Sequence, residues 1–341
     1  MNVHAMPHIL SRPRQGFAAR HEFTRGTKRR PNWFFQPQQV VCLEERALLS
    51  AFATTSVEAA ASSERLDSGS DYSDASPPMN EIHNVPFPTV DGQSELLDVY
   101  TPLTPAPAGG RPVIIAIHGG GWRRLDKASY GSRVAAAFVR DGYDVVAPNY
   151  VLSAPGEPTW PVNFEDVQAA VRWVRSNAGA LGINPNKIVA MGESAGANLA
   201  ALLGVYSTQN SGDGVSSAVD AVVASSTPTD LTILANESPL AGLAAAQFLG
   251  GSPEEVPANY IAASPIDHVS SGDPPMLLIH GRQDPLIPVS QSEQMQAALT
   301  AAGVRNELIL VNGGHDLDFP PHYSDLIADV LEFLDTTWKS S

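Results

Sequence analysis

From about residue 95 the chain alternates apolar runs of strand length with stretches that carry a helical period. The runs are LLDVYT (96–101), VIIAIH (113–118), DVVAPNY (144–150), KIVAMG (187–192), DAVVAS (220–225), PMLLIHG (275–281) and NELILV (306–311). Helical patterns lie between and after them, over 130–141, 164–179, 195–206, 290–302 and 322–338. The strand runs are mostly continuously apolar rather than alternating, as expected where helices cover both faces of a parallel sheet. Their alternation with helices predicts an α/β fold with a doubly wound, mostly parallel sheet. The interval 226–274 holds no clear strand and is the place for a small lid or pocket wall.

The first 80 residues follow a different pattern, which sets the predicted folded domain at 81–341. An early basic stretch has no steady period, and SSERLDSGSDYSDASPPMN is a Ser/Asp/Pro-rich linker. Between them, VVCLEERALLSAFATTSVEAAA is apolar but interrupted by charge, too short and too charged to span a bilayer. A basic start followed by a weak apolar region and small residues fits an export signal, which would place the mature domain outside the cell or in its envelope. LEERALLSA is also similar to short leader motifs of exported bacterial proteins. The alternative is a plain extension on a cytoplasmic protein.

Composition adds three constraints. With 43% hydrophobic and 17% charged residues, the 341-residue chain can build a sizeable core. Its one cysteine, Cys42, excludes an intrachain disulfide framework and a CxxC metal site, and the nine histidines show no HExxH, so no metal is expected. Charge is uneven: residues 1–46 hold 8 Lys+Arg against 3 Asp+Glu, a net of +5, so the remainder carries −20 of the chain's −15 total. Such an acidic body repels nucleic acid and anionic membranes, and neither is expected as a partner.

Chemistry concentrates at the strand ends. In IVAMGESAGANLAALLG, Ser194 falls between a buried strand and an alanine-rich helix, with Gly192 and Gly196 on either side. A sharp strand-to-helix turn strains the backbone and brings neighbouring chain close, which suits glycine at both positions. The turn would hold the Ser194 hydroxyl at the carboxyl end of the sheet, at a helix N-terminus that favours developing negative charge. A hydroxyl needs a base to take its proton, and the base needs orienting. Asp284 in LLIHGRQDPLIP and His315 in LILVNGGHDLDF each follow a predicted strand, in the order Ser194, Asp284, His315. Alone, Asp284 reads equally as a turn cap and His315 as a surface loop histidine. Together, on successive strand ends, the three read as a catalytic triad.

The run HGGGW (118–122) follows the most apolar strand. Preorganised backbone N–H groups stabilise the oxyanion that forms when serine attacks a carbonyl, and glycines let those groups turn inward. Gly120 and Gly121, with the N–H of Ala195, are the predicted oxyanion hole, and His118 braces the loop. A phosphate-binding loop is the alternative, but neither GxGxxG nor GxxxxGK[ST] is present. Trp122, and Trp160 further on, either floor a shallow substrate pocket or pack as core.

With HGGGW, GESAG (192–196), HGRQDPLIP (280–288) and the His315 loop in this order, residues from about 85 to 338 resemble an α/β-hydrolase of the carboxylesterase type. The likeness is to bacterial feruloyl/acetyl esterases and the hormone-sensitive-lipase-like group, and WPVNFEDVQAAVRWVRSNA (160–178) is similar to their helix after the fourth core strand. The resemblance implies a cofactor-free serine carboxylesterase acting on small short-acyl esters, among them acetylated or feruloylated carbohydrates. Amide cleavage, as in arylformamidases or aminopeptidases, is the nearest alternative. A non-catalytic binding protein on the same scaffold would typically lack a triad member, and none is lacking. Two departures stand out. Asn149-Tyr150-Val151-Leu152 replaces the usual Asp-Tyr-Arg-Leu, so the arginine's partnership is missing, and the chain before His118 is too short for a helical N-terminal cap.

Overall fold

The computed structural model describes residues 77–89, 92, 94–206, 214–317 and 324–340. The basic segment, the apolar stretch 40–61 and Cys42 lie outside them. Eight strands are present among the described residues: β1 (Met79–Pro88), β2 (Ser94–Pro102), β3 (Arg111–Ile117), β4 (Asp144–Pro148), β5 (Ile183–Glu193), β6 (Ala221–Ser225), β7 (Met276–Gly281) and β8 (Asn306–Val311). They form one sheet in the order β1-β2-β4-β3-β5-β6-β7-β8. From β4 to β8 every pairing is parallel, and β2 runs antiparallel to both β1 and β4. The doubly wound α/β architecture is therefore as expected. β1 is an addition, a largely exposed strand that starts inside the stretch read as linker.

The helices are α1 (Lys127–Phe138), α2 (Val162–Leu181), α3 (Ala195–Val205), α4 (Leu231–Glu237), α5 (Pro239–Leu249), α6 (Pro257–Ala262), α7 (Ser290–Ala301) and α8 (Ser324–Ser340). Strand residues alternate between two apolar layers. Val113, Ile115, Ile117, Ile188 and Ala190 pack with α2, α3 and α4–α7, whereas Ile114, Ala116, Val189 and Met191 pack with α1 and α8. Each central strand is thus buried on both faces, which is why the runs read as continuously apolar. The interval 226–274 folds as α4, α5 and α6, started by the Asp230 and Ser238 side chains, which accept from Ile233 N and Ala241 N.

This order creates the position where ligands bind in such sheets. From β3 the chain passes to β4 on one side, then returns to lay β5 on the other. The carboxyl ends of β3 and β5 therefore flank a topological switch point.

Candidate active site

Ser194 stands at that point. Its backbone has φ 53° and ψ −122°, a region that costs a non-glycine residue about 1–3 kcal/mol and persists only where surroundings enforce it. Enforcement comes from both sides: the Ser194 N–H donates to Ser225 O of β6 (2.8 Å), and Ser194 O accepts from Asn198 N in α3 (3.1 Å). Neither Gly192 nor Gly196 has positive φ, so their role is space. A Cβ on Gly196 would press into Ile117 O and stand 2.5 Å from His118 O, and one on Gly192 would run into Gly196.

His315 joins the other two residues. Its Nδ1–H donates to Asp284 Oδ2 (2.8 Å), which leaves Nε2 to accept the Ser194 hydroxyl (2.9 Å). The three predicted triad residues thus meet in hydrogen-bonding order. Asp284 Oδ1 accepts from Leu286 N and Ile287 N, both at 2.8 Å, as a turn cap does, while Oδ2 faces His315.

The sequence reading passed over the residues that brace this arrangement. His280, fully buried at the end of β7, points Nε2 at both Ile287 O (2.9 Å) and Asp284 Oδ2 (3.3 Å), while Nδ1 accepts from Ser292 Oγ (2.6 Å). Burial alone would push the Asp284 carboxyl up. The hydrogen bonds from His280 and His315 outweigh it and hold Asp284 well below the usual carboxylate range. Ser226, also at positive φ (49°), donates its hydroxyl to His315 O (3.0 Å) and its N–H to Ile279 O (2.9 Å). Glu193, beside the serine, pairs with Arg133 of α1 (2.8 Å); burial pushes its carboxyl up and Arg133 offsets part of that rise.

Gly120 and Gly121 both have positive φ, 101° and 63°, and a Cβ on Gly120 would collide with Arg124 O. Only glycine adopts this path without strain. Ala195 opens α3, so its N–H is among those a helix leaves without an intrahelical acceptor. His118 is 1% exposed, donates Nδ1–H to Gly119 O (2.9 Å) and stacks on Tyr150 (4.3 Å), whose hydroxyl donates to His118 O (2.8 Å). Burial pushes His118 down to about 4, so it is a neutral brace at ordinary pH. At Val151, which stands at the arginine position of Asp-Tyr-Arg-Leu, the backbone N–H donates to Asp166 Oδ2 (3.0 Å). Trp122 is 2% exposed and stacks on Phe248 of α5 (4.6 Å), which assigns its ring to core packing, the second of the two roles open to it. Half-buried Trp160 meets the same Phe248 edge-on (5.7 Å).

Among the described residues no cluster of three or more His, Cys, Asp or Glu could hold a metal ion, and no helix is long and apolar enough to cross a membrane.

A family model described as BD-FAE matches residues 97–299. The chain belongs to that family, a branch of the α/β-hydrolases. The match runs from β2 into α7 and contains the HGGGW loop, Ser194 and Asp284. Esterase LipQ of Mycobacterium tuberculosis is 33% identical over 62% of the chain, which spans 51% of LipQ's own length. A truncated carbohydrate esterase from gut microbiota superposes with a TM-score of 0.65 at 29% identity, covering 76% of this chain and 96% of that one. The esterase Est2 of the planctomycete Thermogutta terrifontis, in a butyrate-bound structure, gives a TM-score of 0.61 at 27% identity over 73% and 91% of the two chains.

Proposed function

We propose that this BD-FAE member is a serine carboxylesterase acting on short-acyl esters of small molecules, with acetylated carbohydrates as the natural class. The single observation that carries the reading is His315, which bridges Asp284 and the Ser194 hydroxyl at 2.8 and 2.9 Å. Ser194 Oγ attacks the ester carbonyl while its proton passes to His315 Nε2. The N–H groups of Gly120, Gly121 and Ala195 receive the oxyanion, and Asp284 stabilises the imidazolium. His315 then returns the proton to the departing alcohol, leaving an acyl-Ser194. Water, deprotonated by the same nitrogen, attacks this ester and releases the acid. The butyrate-bound relative supports a short acyl group and the carbohydrate esterase supports a sugar alcohol. The basic N-terminal segment supports export, which cell fractionation tests.

The decisive experiment treats the enzyme with an organophosphonate and maps the adduct. One equivalent should attach at Ser194, and Ser194→Ala should remove both the adduct and ester hydrolysis by orders of magnitude while leaving the fold intact. Labelling at another serine refutes the reading.

A further inference from the structure

Two adjacent arginines follow the HGGGW loop in a chain of net charge −15. The Arg123 side chain runs along the glycines: a Cβ on Gly121 would stand 3.8 Å from its Nε and 4.0 Å from its Cγ. Its N–H donates to Gly120 O (3.3 Å), closing a tight turn at the oxyanion loop. Arg123 is half-buried, and its guanidinium has no hydrogen bond and no carboxylate partner among the described residues. Next to it in sequence is another cation, Arg124, and the two repel. Arg124 in turn is attracted by Asp316, the residue after His315, while the geometry at Gly121 places Arg123 on the HGGGW loop itself. Exposed Leu125 lies alongside, 3.1 Å from a Cβ built on Gly120, and Ala244 stands 3.6 Å from one built on Gly121. Elsewhere Arg111 and Arg133 each have a carboxylate partner. A planar, five-donor fork without a partner among the described residues, beside apolar surface, is suited to bidentate capture of a carboxylate.

We infer that Arg123 forms an anion subsite at the edge of the oxyanion loop and that the preferred substrates are esters carrying a carboxylate. The inference rests on the esterase reading above and narrows its substrate class. Binding adds no chemical step: the carboxylate is held while Ser194 attacks the neighbouring ester carbonyl.

The test compares two matched pairs of esters. In one the charge is in the acyl part (mono-4-nitrophenyl glutarate against 4-nitrophenyl butyrate). In the other it is in the alcohol part (4-acetoxybenzoate against its methyl ester). For at least one pair the wild-type enzyme should favour the anionic member. Arg123→Gln should cut the anionic-to-neutral ratio of kcat/KM about tenfold, mostly through KM, as expected for loss of one charge-assisted contact. Arg123→Lys should restore part of the ratio, and raising the salt concentration should shrink it in the wild type but not in Arg123→Gln. Phosphonate labelling of Ser194 in each variant verifies that the site is intact. An unchanged ratio in both pairs overturns the anion subsite while leaving the esterase reading standing. Failure of the wild type to hydrolyse even the neutral esters overturns both.

Discussion

Replacing Gly196 with alanine tests the seam between the nucleophile helix and β3. The new Cβ would press into Ile117 O and lie 2.5 Å from His118 O and 2.7 Å from His118 C, where real Cβ contacts do not fall below 3.0 Å. All three neighbours are backbone, so no side chain can swing aside. Either α3 or the end of β3 must retreat by half an ångström or more, carrying Ser194 away from the glycines of the HGGGW loop. Active-site geometry tolerates about 0.5 Å, and a shift of about 1 Å costs on the order of 100-fold. We expect kcat to fall about 10- to 100-fold with a small change in KM. Overpacking of about 1–3 kcal/mol should lower Tm by about 2–12 °C for a domain of this size. The control is Gly179→Ala in α2, where nothing lies within 4 Å of the added carbon. It should leave kcat unchanged and stabilise by about 0.5–1 kcal/mol. Steady-state kinetics on 4-nitrophenyl butyrate and thermal melts read both variants. A Gly196→Ala enzyme with normal kcat refutes the reasoning, and so does one that melts early yet turns over normally, because the strain would then lie away from the site.

His280→Gln should lower kcat/KM about tenfold and shift acid inactivation to higher pH, because Asp284 loses one of the hydrogen bonds that hold its carboxyl down; an unmoved acid limb in the pH–rate profile would contradict this. His118 titrates at about 4 when folded and near 6.5 when unfolded, so between those values the unfolded chain binds the extra proton and stability falls as pH drops. The stability of the wild type relative to His118→Gln should therefore decline by up to about 3 kcal/mol from pH 7 to pH 4, measured by denaturant titration, and parallel curves would rule it out. Acetate and butyrate nitrophenyl esters should exceed the palmitate ester at least tenfold in kcat/KM, because α5 sets Ala244 against Gly121 and packs Phe248 on Trp122 of the same loop. A long acyl channel would gain about 0.8 kcal/mol per buried CH₂, and equal rates on palmitate would reveal one.

The elements that the apolar runs revealed are those buried on both faces, because burial there leaves an unbroken signature. β1 escaped because most of its residues are exposed and two of its ten are proline, so its strand character comes from pairing with β2 rather than from its own pattern. α4, α5 and α6 are 7, 11 and 6 residues long and are punctuated by Pro239, Gly250 and Pro257. Helices this short carry no clear polar face, so no periodicity could emerge. Ser194, Asp284 and His315 were legible because each follows a strand, and strand ends are where this topology places reacting groups. His280 reads in sequence as one more residue of a buried strand. Only the turn that brings Ile287 and Asp284 back over it exposes its role. Glu193 and Arg133, 60 positions apart, meet because α1 packs across the sheet.

The sheet order also explains why the histidine loop takes the form it does. β5 and β8 are three strands apart, and at about 4.8 Å per strand their ends lie about 14 Å from one another. A histidine at the tip of β8 cannot reach Ser194 unless the chain turns back over β7 and β6. Val311 and Gly313 supply the first footholds on that return, with their carbonyls accepting from Arg282 N (2.9 Å) and Gln283 N (3.0 Å). The path crosses β7 so closely that a Cβ on Gly281 would meet Gly314 O and stand 2.5 Å from Gly313 O, which is why Gly281 follows His280. Over β6 the Ser226 hydroxyl takes the His315 carbonyl, while Ser225 O holds the N–H of Ser194. Two consecutive residues at the end of β6 thus fix Ser194 and His315 relative to one another. The left-handed turn at Ser226 is what points its hydroxyl at one partner while its neighbour's carbonyl faces the other.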